Sequence, residues 1–192
     1  EELGATRNPT GSLLDYWRGR TDLVTPKFDA LDFSGVTNFT TCWFECSSLT
    51  EFPGDLDLSS GTNFSQTWQS CSGLTSFPLT DLSSGTNFAT AWYNCTSMTS
   101  FLATGLDSGT SITQAWRNCS SLTTFPAIPL TAAVTCWNAW QGCTSMTEFL
   151  AYDLDSATAL DNAWYGCTAL TSFPAIPLTA GLNFNYAWYG CT

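Results

Sequence analysis

The stretch Thr86-Asn87-Phe88-Ala89-Thr90-Ala91-Trp92-Tyr93-Asn94-Cys95-Thr96-Ser97-Met98-Thr99-Ser100-Phe101 decides how the rest of the chain is read. Phe88, Ala91, Trp92 and Cys95 fall at i, i+3, i+4 and i+7, the apolar face of a two-turn helix. Thr86 and Asn87 stand where a side-chain oxygen can cap free amides. A helix this short does not hold alone, so packing must stabilise it. Beyond the cysteine, Met98-Thr99-Ser100-Phe101 is β-prone and predicts a short strand.

Outward from this stretch the pattern repeats. Tryptophan returns at Trp43, Trp68, Trp92, Trp116, Trp140, Trp164 and Trp188, the first step being 25 residues and the later ones 24. Three positions after each comes a cysteine: Cys46, Cys71, Cys95, Cys119, Cys143, Cys167 and Cys191. The Phe88 position is apolar in every unit (Leu13, Phe39, Phe64, Ile112, Cys136, Leu160, Phe184), and the Ala91 position is mostly small. Leu or Met follows the cysteine, then Thr, then a phenylalanine at 52, 77, 101, 125, 149 and 173. Leu82, Leu106, Leu130, Leu154 and Leu178 mark a second inward position. Units also alternate: Phe-Pro-Ala-Ile-Pro-Leu at 125–130 returns at 173–178, whereas Met98 and Met146 precede Phe101-Leu102 and Phe149-Leu150, which suggests a true period of two coils. Trp17 begins a degenerate unit, with Arg20 at the cysteine position and a strand expected at Leu23-Val24-Thr25.

A coil of about 24 residues cannot bury its own apolar face, but stacked coils bury each other. The predicted architecture is a repeat solenoid with one short parallel β-strand and one short helix per coil. Seven such strands at ~4.8 Å would form a sheet on the order of 30 Å long. Residues 1–12 read as an N-terminal extension, and 13–192 as one solenoid domain of seven to eight coils, the first degenerate and the last incomplete. Asp15, Arg18, Arg20, Asp22 and Lys27 give the first coil a cap-like charge. The chain stops in mid-coil at Trp188-Tyr189-Gly190-Cys191-Thr192, and an unpaired edge there invites head-to-tail self-association through the solenoid ends into filaments.

Thr62-Asn63-Phe64, Thr67-Trp68, Cys71, Leu74 and Phe77 match the unit of the BspA-like leucine-rich repeats and the related mycoplasma-type surface-protein repeats. The sequence resembles that family over about residues 13–192. It departs in carrying Trp where the family usually has Phe, a Trp-x-x-Cys variant similar to repeats in marine phage and environmental microbial proteins. The resemblance implies a leucine-rich-repeat-like solenoid at a cell or virion surface, or secreted, acting in adhesion and protein binding. It supplies no catalytic residues.

Composition narrows the function. Hydrophobic residues make up 44% and charged residues 11%, which excludes simple disorder. Sixteen acidic residues against five basic ones give a net charge of -11, unsuited to nucleic acid or anionic membrane surfaces. No apolar run is long enough for a membrane span. Histidine is absent, which removes the commonest general base and metal ligand, so no catalytic set, cofactor or metal site is expected.

The repeated tryptophans and cysteines share one face and are expected to form a core ladder, with the alternatives of a sugar-stacking platform and of a few disulfides between coils involving Cys42 or Cys136. Tyr93, Tyr165 and Tyr189, one residue after their tryptophans, point elsewhere and are candidates for surface contact. Asn38, Asn63, Asn94 and Asn118 lie in Asn-x-Ser/Thr sequons and are candidate glycosylation sites, although Asn is also common at caps and turns. The threonines at 50, 75, 99, 123, 147 and 171 align as in ice-binding arrays or as a simple β-propensity ladder. Asp55, Asp57, Asp81, Asp107, Asp153 and Asp155 read as solvated turn residues rather than a Ca²⁺ loop. The expected function is a non-enzymatic extracellular or virion-surface structural and adhesive repeat protein that binds a glycan or a cell-surface protein. The alternative is a carbohydrate-recognition module, and ice binding is a third reading.

Overall fold

The computed structural model describes residues 11–26 and 31–192. Lys27 and residues 1–10 of the expected extension lie outside them. The chain winds as stacked coils. Among the described residues there are six short strands: β1 (Gly11–Ser12), β2 (Val36–Asn38), β3 (Ser76–Phe77), β4 (Ser100–Phe101), β5 (Thr124–Phe125) and β6 (Glu148–Phe149). They pair in parallel as β1-β2, β3-β4 and β5-β6, and isolated parallel bridges extend the ladders from Asn38 through Asn63, Asn87, Ser111, Thr135 and Ala159 to Asn183. The described residues contain no helix.

The predicted helix is therefore corrected to a run of β-turns, for a reason visible in the hydrogen bonds. In residues 39–46, every second amide closes a turn: Cys42 N–H donates to the Phe39 carbonyl (3.0 Å), Phe44 to Thr41 (3.1 Å) and Cys46 to Trp43 (3.2 Å). The amides between them are committed to the next coil: Phe39 N–H to Asn63 O (2.8 Å), Thr41 to Ser65 (3.1 Å), Trp43 to Thr67 (2.9 Å) and Glu45 to Gln69 (2.8 Å). No amide is left for the i-4 bonds of an α-helix. Residues at the third turn position take φ near +55 to +62°: Thr41 and Glu45, Gln66 and Ser70, Thr90 and Asn94, Gln114 and Asn118. A repeat of left-handed residues every four positions buries Phe39, Cys42, Trp43 and Cys46 together. It thereby produces the same i, i+3, i+4, i+7 pattern as a helix.

The continuous strand face is also corrected. Leu102 N–H donates to Phe77 O and Leu150 N–H to Phe125 O, both at 3.0 Å. The corresponding residues of the other coils are Pro53, Pro78, Pro126 and Pro174, which have no amide to donate to the coil before. The strands accordingly pair as β3-β4 and β5-β6, and outside the pairs the face continues among the described residues only as the isolated bridges Glu51–Ser76 and Glu148–Ser172. The second turn follows the same division, through Leu82 N–H to Thr104 O and Leu130 N–H to Tyr152 O. The two-coil period of the sequence thus appears in the strand and second-turn hydrogen bonds, while the ladder from Asn38 to Asn183 runs through every coil. No strand forms at residues 23–25, although Thr50 N–H bonds Val24 O at 2.9 Å.

The core is two columns of rings. The indoles from Trp17 to Trp188 stack with centroids 5.1 to 5.7 Å apart and planes within 1 to 8° of parallel. Phe52, Phe77, Phe101, Phe125, Phe149 and Phe173 form the second column and meet the indoles edge to face, as at Trp92–Phe101 (4.8 Å, 79°). Edge-to-face contact sets the positive rim of one ring on the negative face of the other. The tryptophans from Trp43 to Trp164 are fully buried, whereas Trp188, stacked on Trp164, is 38% exposed.

Candidate functional site

All nine cysteines are free thiols. Each of the seven repeat cysteines donates its S–H to the carbonyl of the preceding coil's tryptophan, from Cys46 Sγ to Trp17 O (3.0 Å) to Cys191 Sγ to Trp164 O (3.3 Å). Burial pushes these thiols up from an ordinary value near 9, to about 12 at Cys95 and Cys143 and about 11 at Cys46; Cys136, outside the ladder, also reaches about 12. Thiols held protonated in an apolar column are poor nucleophiles, so the cysteine ladder is part of the packing.

The threonines of the column at 75, 99, 123 and 147 are exposed, but their hydroxyls are engaged along the stack. Thr75, Thr99, Thr123 and Thr147 donate their hydroxyls to the backbone carbonyls of Thr50, Thr75, Thr99 and Thr123 respectively. The sequon asparagines are engaged locally. Asn38 Oδ1 accepts from Thr40 N–H (3.0 Å) and its hydroxyl (2.7 Å), Asn63 Oδ1 accepts from Ser65 N–H (3.1 Å), and Asn118 Nδ2 donates to Asn94 Oδ1 (2.9 Å). Asp57 and Asp81 each cap their own turn, at Ser59 and Ser83, and no group of three metal-ligating side chains gathers among the described residues.

Chemistry that is not consumed by the stack collects on the turn face of the later coils. The position after each tryptophan runs Tyr93, Arg117, Gln141, Tyr165, Tyr189, and the position two before it runs Gln114, Asn138, Asn162, Tyr186. Most of them, with Trp137, line a depression of about 640 Å³ whose walls are Arg117, Trp137, Asn138, Gln141, Asn162, Tyr165, Tyr186 and Tyr189. Tyr165 and Tyr189 stack at 5.2 Å with planes 14° apart, and Tyr186 meets Tyr189 edge-on at 5.9 Å. Trp137 is 45% exposed, the opposite of the buried column. The Arg117 guanidinium lies 5.6 Å from the Tyr93 ring centroid and donates weakly to Gln114 Oε1 (3.4 Å). Arg117 Nε and Gln141 Oε1 are shielded from solvent and have no hydrogen-bond partner. Polar atoms left in this way cost stability unless something else satisfies them.

The structure thus brings Tyr165 and Tyr189 together and puts Tyr93 under Arg117, at the edge of the same face. Sequence reasoning missed Arg117, Trp137, Asn138, Gln141, Asn162 and Tyr186. Two signals for them were present. Trp137 is the one tryptophan of nine that is out of register with the repeat, and Arg117 is the one basic residue after Lys27.

The fold and this surface define a repeat solenoid of β-turns and short parallel ladders, with an aromatic and amide-lined depression on one face. No protein-family model matches the chain, and no curated protein matches it. Among solved structures it is similar to a leucine-rich repeat protein of T. pallidum, at 16% identity and a TM-score of 0.49 over 85% of this chain and 73% of that one. It is also similar to a leucine-rich repeat protein of Bacteroides ovatus, at 19% identity and a TM-score of 0.39 over 73% of this chain and 46% of that one. Neither likeness bears on function. Among the described residues, no helix is long and apolar enough to cross a membrane.

Proposed function

We propose that the chain is a non-enzymatic recognition module of an extracellular or virion-surface adhesive protein, and that its ligand is carbohydrate. The observation that carries this reading is the exposed Trp137, Tyr186 and Tyr189, with the half-buried Tyr165, around one depression whose other walls are the amide side chains of Asn138, Gln141 and Asn162. Sugar rings present C–H faces, which carry partial positive charge and pack on the negative face of an aromatic ring. Their hydroxyls pair with side-chain amides such as Asn138, Asn162 and Gln141. The low charge of the chain suits a neutral, hydroxyl-rich contact better than nucleic acid. The test is a glycan array probed with the wild-type protein, Trp137→Ala and Tyr165→Ala. Binding of a defined glycan set that both substitutions weaken supports the reading. An empty array, or binding indifferent to both substitutions, overturns it.

A further inference from the structure

Arg117 is a cation in an unusual place. The chain carries sixteen acidic residues and five basic ones, and Arg117 is the one basic residue after position 27. It nevertheless makes no salt bridge among the described residues; the ion pairs found there are Arg18–Asp15 and Arg20–Asp22, at the other end of the solenoid. Its contacts are the Tyr93 ring and the neutral Gln114 oxygen, and its Nε is shielded with no partner. Desolvating part of a guanidinium without an acceptor is costly. Arg117 also stands on the wall of the depression, without a carboxylate of the protein's own, so among the described residues its guanidinium is the one cation that an acceptor arriving from outside would meet there.

We propose that the ligand carries a carboxylate and that Arg117 binds it: the depression takes an acidic saccharide, one uronic-acid-type sugar flanked by neutral residues. This rests on the reading of the depression as a glycan site. A guanidinium offers a planar fork that matches a carboxylate with two parallel hydrogen bonds. One fork and no lysine provide for one such group. A net charge of -11 repels sulfated or phosphorylated polymers, whose charge density a single arginine does not offset. Trp137 and the stacked Tyr165–Tyr189 pair then supply ring faces for neighbouring sugars, and the side-chain amides of Asn138 and Asn162 supply partners for hydroxyls.

The experiment compares uronic-acid-containing oligosaccharides with the same oligosaccharides after reduction of the carboxyl to the alcohol, measured by calorimetry against wild type, Arg117→Gln and Arg117→Lys. Carboxyl reduction leaves the protein untouched, so a loss there does not depend on whether a variant folds. The expected result is a loss of roughly tenfold or more on reduction, the scale of one charge-assisted pair. The same loss is expected for Arg117→Gln with the acidic form and none with the reduced form, and Arg117→Lys falls between, because it keeps the charge without the fork. Glycan binding that ignores both the reduction and the Arg117 substitutions overturns the acidic-sugar inference and leaves the glycan reading standing. Absence of binding to acidic and neutral oligosaccharides alike overturns both.

Discussion

At the scale of single residues, the thiols and the glycines are set by their neighbours. Cys95, Cys136 and Cys143 are held up to about 12 and Cys46 to about 11 because burial disfavours the thiolate. In the unfolded chain the same groups ionise from about pH 8.5. Below that value both states are protonated and the thiols contribute no pH dependence. Between about pH 9 and 12 the unfolded state has lost protons that the folded state keeps, so stability falls as pH rises, by up to about 1.4 kcal/mol per pH unit for each thiol. Denaturant melts across this range are expected to show the decline, and native protein at pH 8 is expected to react slowly with a thiol reagent until denatured. A flat profile, or prompt native labelling of most thiols, would contradict the ladder. Gly85 gives a second case. A Cβ built on it would lie 2.2 Å from Phe88 Cζ. Where Cys136 and Leu160 replace the phenylalanine, Ala133 and Ala157 stand in place of the glycine. Gly85→Ala should therefore cost about 1–3 kcal/mol through overpacking, and Gly85→Ala combined with Phe88→Leu should recover part of it.

At the scale of the element, proline decides where a ladder runs and where it stops. Pro126 stands where an amide would reach Phe101 O, in the way Leu150 N–H reaches Phe125 O at 3.0 Å. Pro126→Ala is expected to join β4 to β5, and hydrogen exchange checks it: the new amide at 126 should be as protected as that of Leu150. Rapid exchange there would show that the pairs are kept apart by something other than the missing donor. The ring columns carry the other prediction at this scale. Trp116→Ala should destabilise by about 3–5 kcal/mol, and Tyr165→Ala, half-buried outside the core, by about 1 kcal/mol, both measured in urea. Much of this element was legible in the sequence. The positions of Phe88, Ala91, Trp92 and Cys95 placed the buried face correctly, because burial leaves its mark on side-chain type. The backbone conformation was not legible, because two turns with left-handed residues four apart and two turns of α-helix bury the same spacing. The sequence hint was the composition of the turn positions, where Asn94, Asn118, Gly142, Gly166 and Gly190 are residue types that tolerate positive φ.

At the scale of the whole molecule, periodicity made the stack legible and hid the candidate site. A repeat averages over its coils, and what averages well is packing: the tryptophans, cysteines and phenylalanines. The depression is marked by exceptions to the average, namely an out-of-register Trp137, an isolated Arg117 and a Tyr186 where other coils carry Asp, Thr, Gln or Asn. The same regularity has an optical consequence. Eight indoles, from Trp17 to Trp188, stand nearly parallel and 5.1 to 5.7 Å apart along the length of the stack. At such separations neighbouring rings share electronic excitation, so light absorbed at one end can be emitted from the other. Transfer between nearly parallel rings leaves the polarisation almost unchanged, so quenching reads it: acrylamide, which reaches Trp188 at 38% exposure, should quench the column's emission well beyond one indole in eight. Trp116→Phe should cut the column into two shorter conductors and spare the far one, whereas Trp137→Phe, outside the column, should leave the column's quenching unchanged. Quenching confined to the exposed indoles would mean that the rings do not communicate, and the protein would then be a stack of chromophores rather than a wire for light.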